Sequence, residues 1–196
     1  MEILLATHNS GKAVEVKSIF NKYNVVTMKD LGLTMDAEET GSTFEENALI
    51  KARSVYNTLD EEMKKKYIVM ADDSGLEVDY LNKAPGIYSA RYMGEETPYT
   101  IKNNHIIKLL YGVKDEDRTA RFVCAIAVVR PDGSEDVVRG TIEGRIAYEE
   151  KGEHGFGYDP IFFLPEYGCT SAEIPPEEKN RISHRANALQ LIKDKI

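Results

Sequence analysis

The stretch Tyr67–Gly75, YIVMADDSG, runs from five apolar residues straight into two carboxylates, a hydroxyl and a glycine. An apolar run of that length reads as a buried strand, and Leu76–Leu81 alternates well enough to continue as extended chain. This reading places Asp72 and Asp73 at a strand end. Two adjacent acids there are costly to hold unless a cation or hydrogen-bond donors compensate them. Neighbours on an extended chain point to opposite faces. One of the pair is therefore expected to face a cleft, ligating Mg²⁺ or taking a proton from water, with Ser74 beside it for a phosphate oxygen. A plain turn, in which Asp and Ser bond local backbone, is the competing reading.

Upstream, the short apolar run Glu2–Ala6 ends in Thr7-His8-Asn9-Ser10-Gly11-Lys12, after which Val16, Ile19, Phe20 and Tyr23 recur at helical spacing. Strand, loop, helix is the order predicted. Free N–H groups and the positive helix end favour an anion there, and Lys12 adds a full charge. A P-loop is excluded by Ala6 and Ala13, which stand where it needs glycine and a hydroxyl. A polar turn whose asparagine and serine cap the helix fits the same residues equally well. Thr43 with Glu46 forms a capping-box pattern ahead of the stripe Phe44, Ala48, Ala52, Val55 and Tyr56, so a second helix starts at this point. Glu38-Glu39 is a further acidic pair able to offer a magnesium ligand, although alone it reads as a solvated face.

Downstream, Thr97 and Pro98 predict the start of a third helix, with Ile101, His105 and Leu109 and also Ile106 and Leu110 inward. Arg121–Arg130 and Glu135–Val138 flank the turn Pro131–Ser134, and Gly140–Glu149 adds extended chain, so this part is expected to be antiparallel. Gly155-Phe156-Gly157-Tyr158-Asp159-Pro160 joins flexible backbone to two aromatics and a carboxylate, the parts a purine pocket needs. A tight turn with core aromatics is the alternative. Pro175-Pro176 opens a C-terminal helix with Ile182, Ala186, Leu189 and Ile192 inward, on which Lys179 and Ser183-His184-Arg185 form a basic cluster. With no linker, internal repeat or low-complexity tract, residues 1–196 read as a single domain.

Composition removes several function classes. The 196 residues are 42% hydrophobic and 30% charged, which is globular usage. The longest apolar run, Phe122–Val129, is far short of the ~20 residues of a membrane helix. The N-terminus lacks the basic flank and apolar length of a secretory signal, so a cytoplasmic location is expected. Cys124 and Cys169 have no CxxC spacing, and no histidine has zinc-ligand spacing. A net charge of −8 disfavours nucleic acid, so any phosphate must be met locally.

Taken together, THNSGK at 7–12, AEETGSTFEENALIKAR at 37–53, ADDSGLEVDYL at 71–81, APGIYSARY at 84–92, GFGYDPIFF at 155–163 and ISHRANAL at 182–189 closely resemble the inosine triphosphate pyrophosphatase family. The resemblance runs in order along nearly the whole chain. It implies an α/β fold of two lobes on a long, twisted mixed sheet with a central cleft, assembled as a homodimer. It also implies Mg²⁺-dependent hydrolysis of inosine, deoxyinosine and xanthosine triphosphates to monophosphate and pyrophosphate. By matching motif positions, Asp73 resembles the proton acceptor and a metal ligand, and Glu38 the other ligand. Thr7, His8, Asn9, Ser10, Gly11, Lys12 and Ser74 resemble the triphosphate and ribose contacts. Phe156, Gly157, Tyr158, Asp159, Lys179, His184 and Arg185 resemble the base and adjacent phosphate contacts, with Lys51 adding charge. A pyrophosphatase for other nucleotides, and a sensor that binds triphosphate without cleaving it, are the rival readings.

Overall fold

The computed structural model describes residues 2–35 and 37–196. In chain order these form β1 (Glu2–Leu5), α1 (Ser10–Ile19), β2 (Val25–Thr27), α2 (Phe44–Thr58), α3 (Glu61–Lys66), β3 (Tyr67–Val78) and α4 (Tyr99–Leu109). There follow β4 (Thr119–Val129), β5 (Glu135–Ile146), β6 (Phe162–Leu164), β7 (Cys169–Thr170), α5 (Pro176–Ile182) and α6 (His184–Lys193). The described strands form one sheet in the order β2-β1-β3-β4-β5-β6-β7. It is mixed, as expected from the sequence. β1 runs parallel to β2 and β3, with Leu5 opposite Thr27 and Met70, whereas β5, β6 and β7 pair antiparallel. Parallel pairs need crossovers, which α1 and the α2–α3 segment supply; β4 and β5 need only the turn closed by Arg130 N–H to the Ser134 carbonyl (2.9 Å).

The chain segregates into two compact units, each with its own core. The first comprises 1–73, 124–140 and 184–196, the second 74–123 and 141–183. In the first, Ile3, Leu5, Val16, Ile68, Met70, Ile126, Leu189 and Ile192 bury a core between strand residues and the helices α1 and α6. In the second, Leu76, Val78, Ile106, Phe122, Tyr158, Phe162 and Ile174 do so. Each fully buried Leu, Ile or Phe contributes about 1.5–3 kcal/mol. β3, β4 and β5 belong to both units, with the divisions at Asp73/Ser74, Val123/Cys124 and Gly140/Thr141.

Four local expectations change. Asp72 and Asp73 lie in the interior of β3, which continues through Ser74 and Gly75 to Val78, instead of at a strand end. Thr97 does not cap α4; its hydroxyl donates to the Met93 carbonyl, and the buried residues of the helix are Lys102, Asn103 and Ile106, while Ile101 and Leu109 are exposed. The capping box of α2 is half formed. Thr43 Oγ1 accepts from Glu46 N–H (3.1 Å), but the Glu46 carboxylate takes the N–H and hydroxyl of Ser42. The C-terminal helix is two helices, because Ser183 is extended (φ −65°, ψ 157°) and separates α5 from α6.

Candidate active site

The first unit holds the acidic strand and its cations. Alternation along β3 sends Asp72 and Asp73 to opposite faces, and their partners differ accordingly. Asp72, 2% exposed, lies 3.2 Å from Lys12 Nζ and accepts from Arg185 Nε and Nη2 at 3.3 and 3.1 Å. Arg185, itself 1% exposed, also pairs with Glu15 of α1. Burial alone would raise the Asp72 pKa, but the charges of Lys12, Arg185 and Lys51 outweigh it and hold the carboxyl well below the usual range. The same desolvation, aided by the nearby Asp72 charge, pushes the adjacent Cys124 thiol up to about 12.

Asp73 is placed by α2. Lys51 Nζ lies 2.8 Å from Asp73 Oδ1 and 2.9 Å from Glu39 Oε1, and Asn47 Nδ2 lies 3.4 Å from Asp73 Oδ2. Asn47 and Lys51 are one turn apart and share a helix face. Asn47 is held in turn by Gly41 N–H, which donates to its Oδ1 at 2.8 Å. Burial raises the Asp73 pKa more than Lys51 lowers it, so it stands above the ordinary carboxylate value. The Lys51 ammonium is disfavoured by burial but more strongly favoured by Asp73, Asp72 and Glu39, which raises its pKa.

Thr7–Lys12 leads into α1. Asn9 is its N-cap, with Oδ1 accepting from Lys12 N–H (3.1 Å); Thr7 Oγ1 accepts from Asn9 N–H, and His8 Nε2 lies 2.9 Å from the Met35 carbonyl. The loop is therefore a capped polar turn at the start of α1, with the Lys12 ammonium turned to Asp72. Ser10 is exposed and Gly11 half-buried. Glu38 is exposed, one residue from the Glu39 that Lys51 anchors.

The second unit contains the aromatic loop. Asp159 is buried and fastens it: Oδ2 accepts from Phe156 N–H (2.8 Å) and Lys179 Nζ (2.6 Å), and Oδ1 from Ser171 Oγ (2.9 Å). Gly155 is glycine because its φ is +77° and an added Cβ would fall 2.1 Å from Asp159 Oδ2. The two aromatics divide. Tyr158 is 3% exposed and donates its hydroxyl to the Ser89 carbonyl (2.7 Å), whereas Phe156 is 38% exposed with Lys179 Nζ 5.2 Å from its ring centre. Of the two rings, that of Phe156 is the one partly exposed. Ser74 is half-buried on β3.

The break at Ser183 corrects the expected single basic helix face: Lys179 turns to Asp159 in the second unit, and Arg185 to Asp72 in the first. His184 is buried at the start of α6. Sequence reasoning passed over Asn47, Glu15 and Ser171. Only Asn47 left a signal, four residues before Lys51 on the predicted second helix. Among the described residues no three His, Cys, Asp or Glu side chains are grouped to hold a metal. One or two carboxylates, with the rest of the shell from phosphate oxygens and water, is how Mg²⁺ is bound in nucleotide sites; the carboxylates gathered about Lys51 are Asp73 and Glu39, with Glu38 exposed one residue away.

Buried carboxylates matched to lysine and arginine, beside a helix N-terminus capped by Asn9, mark the first unit of this mixed α/β protein. The chain belongs to the Ham1 family, whose model matches residues 3–195. A dITP/XTP pyrophosphatase of Listeria innocua is 50% identical over 98% of this chain and 94% of its own length. One from Clostridium perfringens is 45% identical over 100% and 97%. Among solved structures, the Staphylococcus aureus Ham1 protein superposes with a TM-score of 0.85 at 44% identity, covering 100% of this chain and 97% of that one.

Proposed function

We propose that this chain is a nucleoside triphosphate pyrophosphatase that hydrolyses ITP, dITP and XTP to the monophosphate and pyrophosphate, clearing deaminated purines from the nucleotide pool. The observation that carries the reading is Asp73, a buried carboxylate on β3 held between Lys51 and Asn47. The names of the relatives, dITP/XTP pyrophosphatases, support it. In this reading Asp73 orients water at the α-phosphorus and accepts its proton. Lys12 and Lys51 offset the charge of the triphosphate, which the Thr7–Lys12 backbone and Ser74 hold. Asp73 and Glu38 would hold Mg²⁺, which when bound supplies further charge neutralisation at the phosphates.

Phe156 stacks on the base, and the Gly157–Asp159 segment with Lys179 and His184 faces its edge. Arg185 acts on the phosphate end through Asp72 and Lys12. A 6-oxo group and a protonated N1 leave such a pocket fully paired, whereas adenine leaves groups unpaired, a mismatch worth factors of about 10⁴. Residues 1–196 are read as one catalytic domain, in a cytoplasmic homodimer that binds neither nucleic acid nor membrane. Among the described residues no helix is long and apolar enough to cross a membrane. The test is pyrophosphate release from ITP, dITP, XTP, GTP and ATP at matched concentrations, with Mg²⁺ and then with chelator. Metal-dependent release from the first three, far above GTP and ATP, is expected; tight binding with no pyrophosphate from any of them would overturn hydrolysis.

A further inference from the structure

Helix α4 turns a polar face inward. Tyr99, Lys102, Asn103 and Ile106 share it at helical spacing, and Lys102 and Asn103 are each 1% exposed. Burying an ammonium and an amide costs stability unless both are bonded, and here the bonds converge. Asn103 Nδ2 donates to the Gly157 carbonyl (3.2 Å) and to Glu150 Oε1 (2.8 Å). The Tyr99 ring stands edge-on to Tyr158, with 5.2 Å between centroids. Tyr158 in turn donates to the Ser89 carbonyl (2.7 Å), and Lys102 Nζ takes the next carbonyl, that of Ala90 (2.6 Å). Ser89 Oγ accepts from Leu76 N–H of β3 at 2.9 Å. Asn103 Oδ1 is buried with no hydrogen-bond partner among the described residues. An amide that leaves its acceptor unpaired is a poor core residue, so what the position gains is the pair of donors aimed at Gly157 and Glu150.

We propose that α4 is the rear support of the aromatic loop, and that Asn103 and Tyr99 are positioning residues that set the selectivity of the site for 6-oxo over 6-amino purines. This rests on the reading of Phe156–Asp159 as the base-binding segment. Discrimination by unpaired buried groups works only if the loop cannot relax to pair with the wrong base. Fixing Gly157 and Tyr158 from behind removes that freedom, and with it the freedom of Phe156 and Asp159 on either side. A loop loosened by an ångström would accommodate a 6-amino edge and lose part of the penalty.

The test is Asn103→Asp in the full chain, a change of nearly equal size that replaces two donors with acceptors facing Gly157 and Glu150. kcat and KM for dITP and dATP are measured with Mg²⁺, together with amide hydrogen exchange of the ligand-free protein. At least a tenfold fall in the ratio of kcat/KM for dITP over dATP is expected. It should arise mainly from KM for dITP, with kcat within threefold, and exchange across 155–159 should rise at least tenfold while 67–73 is unchanged. If that variant does not fold, Tyr99→Leu removes the edge contact to Tyr158 and is expected to act in the same direction. A ratio within twofold of wild type overturns the selectivity role, and unchanged loop exchange overturns the positioning route. Absence of dITP hydrolysis by the wild type would instead overturn the pyrophosphatase reading and the selectivity claim with it, leaving exchange to decide whether α4 holds the loop.

Discussion

Asp73 is pulled in two directions, and the balance between them suits a proton acceptor. Burial raises its pKa, Lys51 lowers it, and burial wins. An acid whose conjugate base is more basic than usual takes a proton from water more readily. Asp73→Asn is expected to lower kcat for dITP by about 10²–10⁴-fold, the usual worth of a positioned base. The melting temperature should stay near that of wild type, because the change is nearly isosteric and Lys51 keeps Glu39 as a partner. Turnover at the wild-type rate would remove Asp73 from the mechanism. Lys51 gives a second, signed prediction. If Asp73 is the proposed proton acceptor, its ionised form is the active one, and kcat/KM is expected to fall as pH drops through its raised pKa. Lys51→Met deletes the charge that favours ionisation, so the acid limb of kcat/KM is expected to move to higher pH. A pH profile whose acid limb stays put would separate Lys51 from the base.

The docking of α6 depends on a glycine in β5. A Cβ on Gly140 would fall 2.3 Å from Ala188 N and 2.5 Å from the His184 carbonyl oxygen, both backbone atoms that cannot rotate away. Gly140→Ala is therefore expected to destabilise by about 1–3 kcal/mol, as overpacking does, lowering the melting temperature by about 2–4 °C per kcal/mol. An unshifted melting curve would mean that α6 slides without cost. Elements whose limits are local were legible in the sequence: β1, α1 and α2 follow from apolar spacing and the caps Asn9 and Thr43. The acids of β3 were legible as well, because a carboxylate pair abutting an apolar run has few inexpensive explanations. The inward face of α4 was legible only in part: Ile106 and Leu110 are buried as the apolar spacing predicts, but Ile101 and Leu109, which the same spacing picks, are exposed. The buried side is instead set by Lys102 and Asn103, bonded to carbonyls 12 and 54 residues away in the chain. The break at Ser183 escaped for the same reason. A continuous stripe from Ile182 to Ile192 reads as one helix, yet Lys179 and Arg185 are drawn to carboxylates 20 and 113 residues distant.

Three separate segments of the first unit meet at Asp72: α1 through Lys12 and Glu15, β3 through Asp72 itself, and α6 through Arg185. Such a cluster is not evidence of net stabilisation, since desolvating the charges offsets their attraction, but removing one member leaves the others buried and unpaired. Asp72→Asn keeps the shape and takes away the charge that Lys12 and Arg185 face. It is expected to cost about 3–5 kcal/mol of unfolding free energy at pH 7. The pH dependence distinguishes this cluster from the acid beside it. The folded pKa of Asp72 is depressed below its ordinary value of 3.8, so its stabilisation is fully present above that pH and is lost as pH falls through the folded value. Asp73 has the opposite sign. Its raised folded pKa means the native state takes up a proton before the unfolded chain does, so its contribution becomes more favourable as pH falls toward 3.8. Urea unfolding of wild type and Asp72→Asn between pH 3 and pH 8 should therefore show a constant gap down to about pH 4, closing only below it. A gap that stayed unchanged between about pH 4 and pH 3 would mean that Asp72 titrates alike in the folded and unfolded chain, as an ordinary surface carboxylate does, and that Lys12 and Arg185 do not hold it ionised.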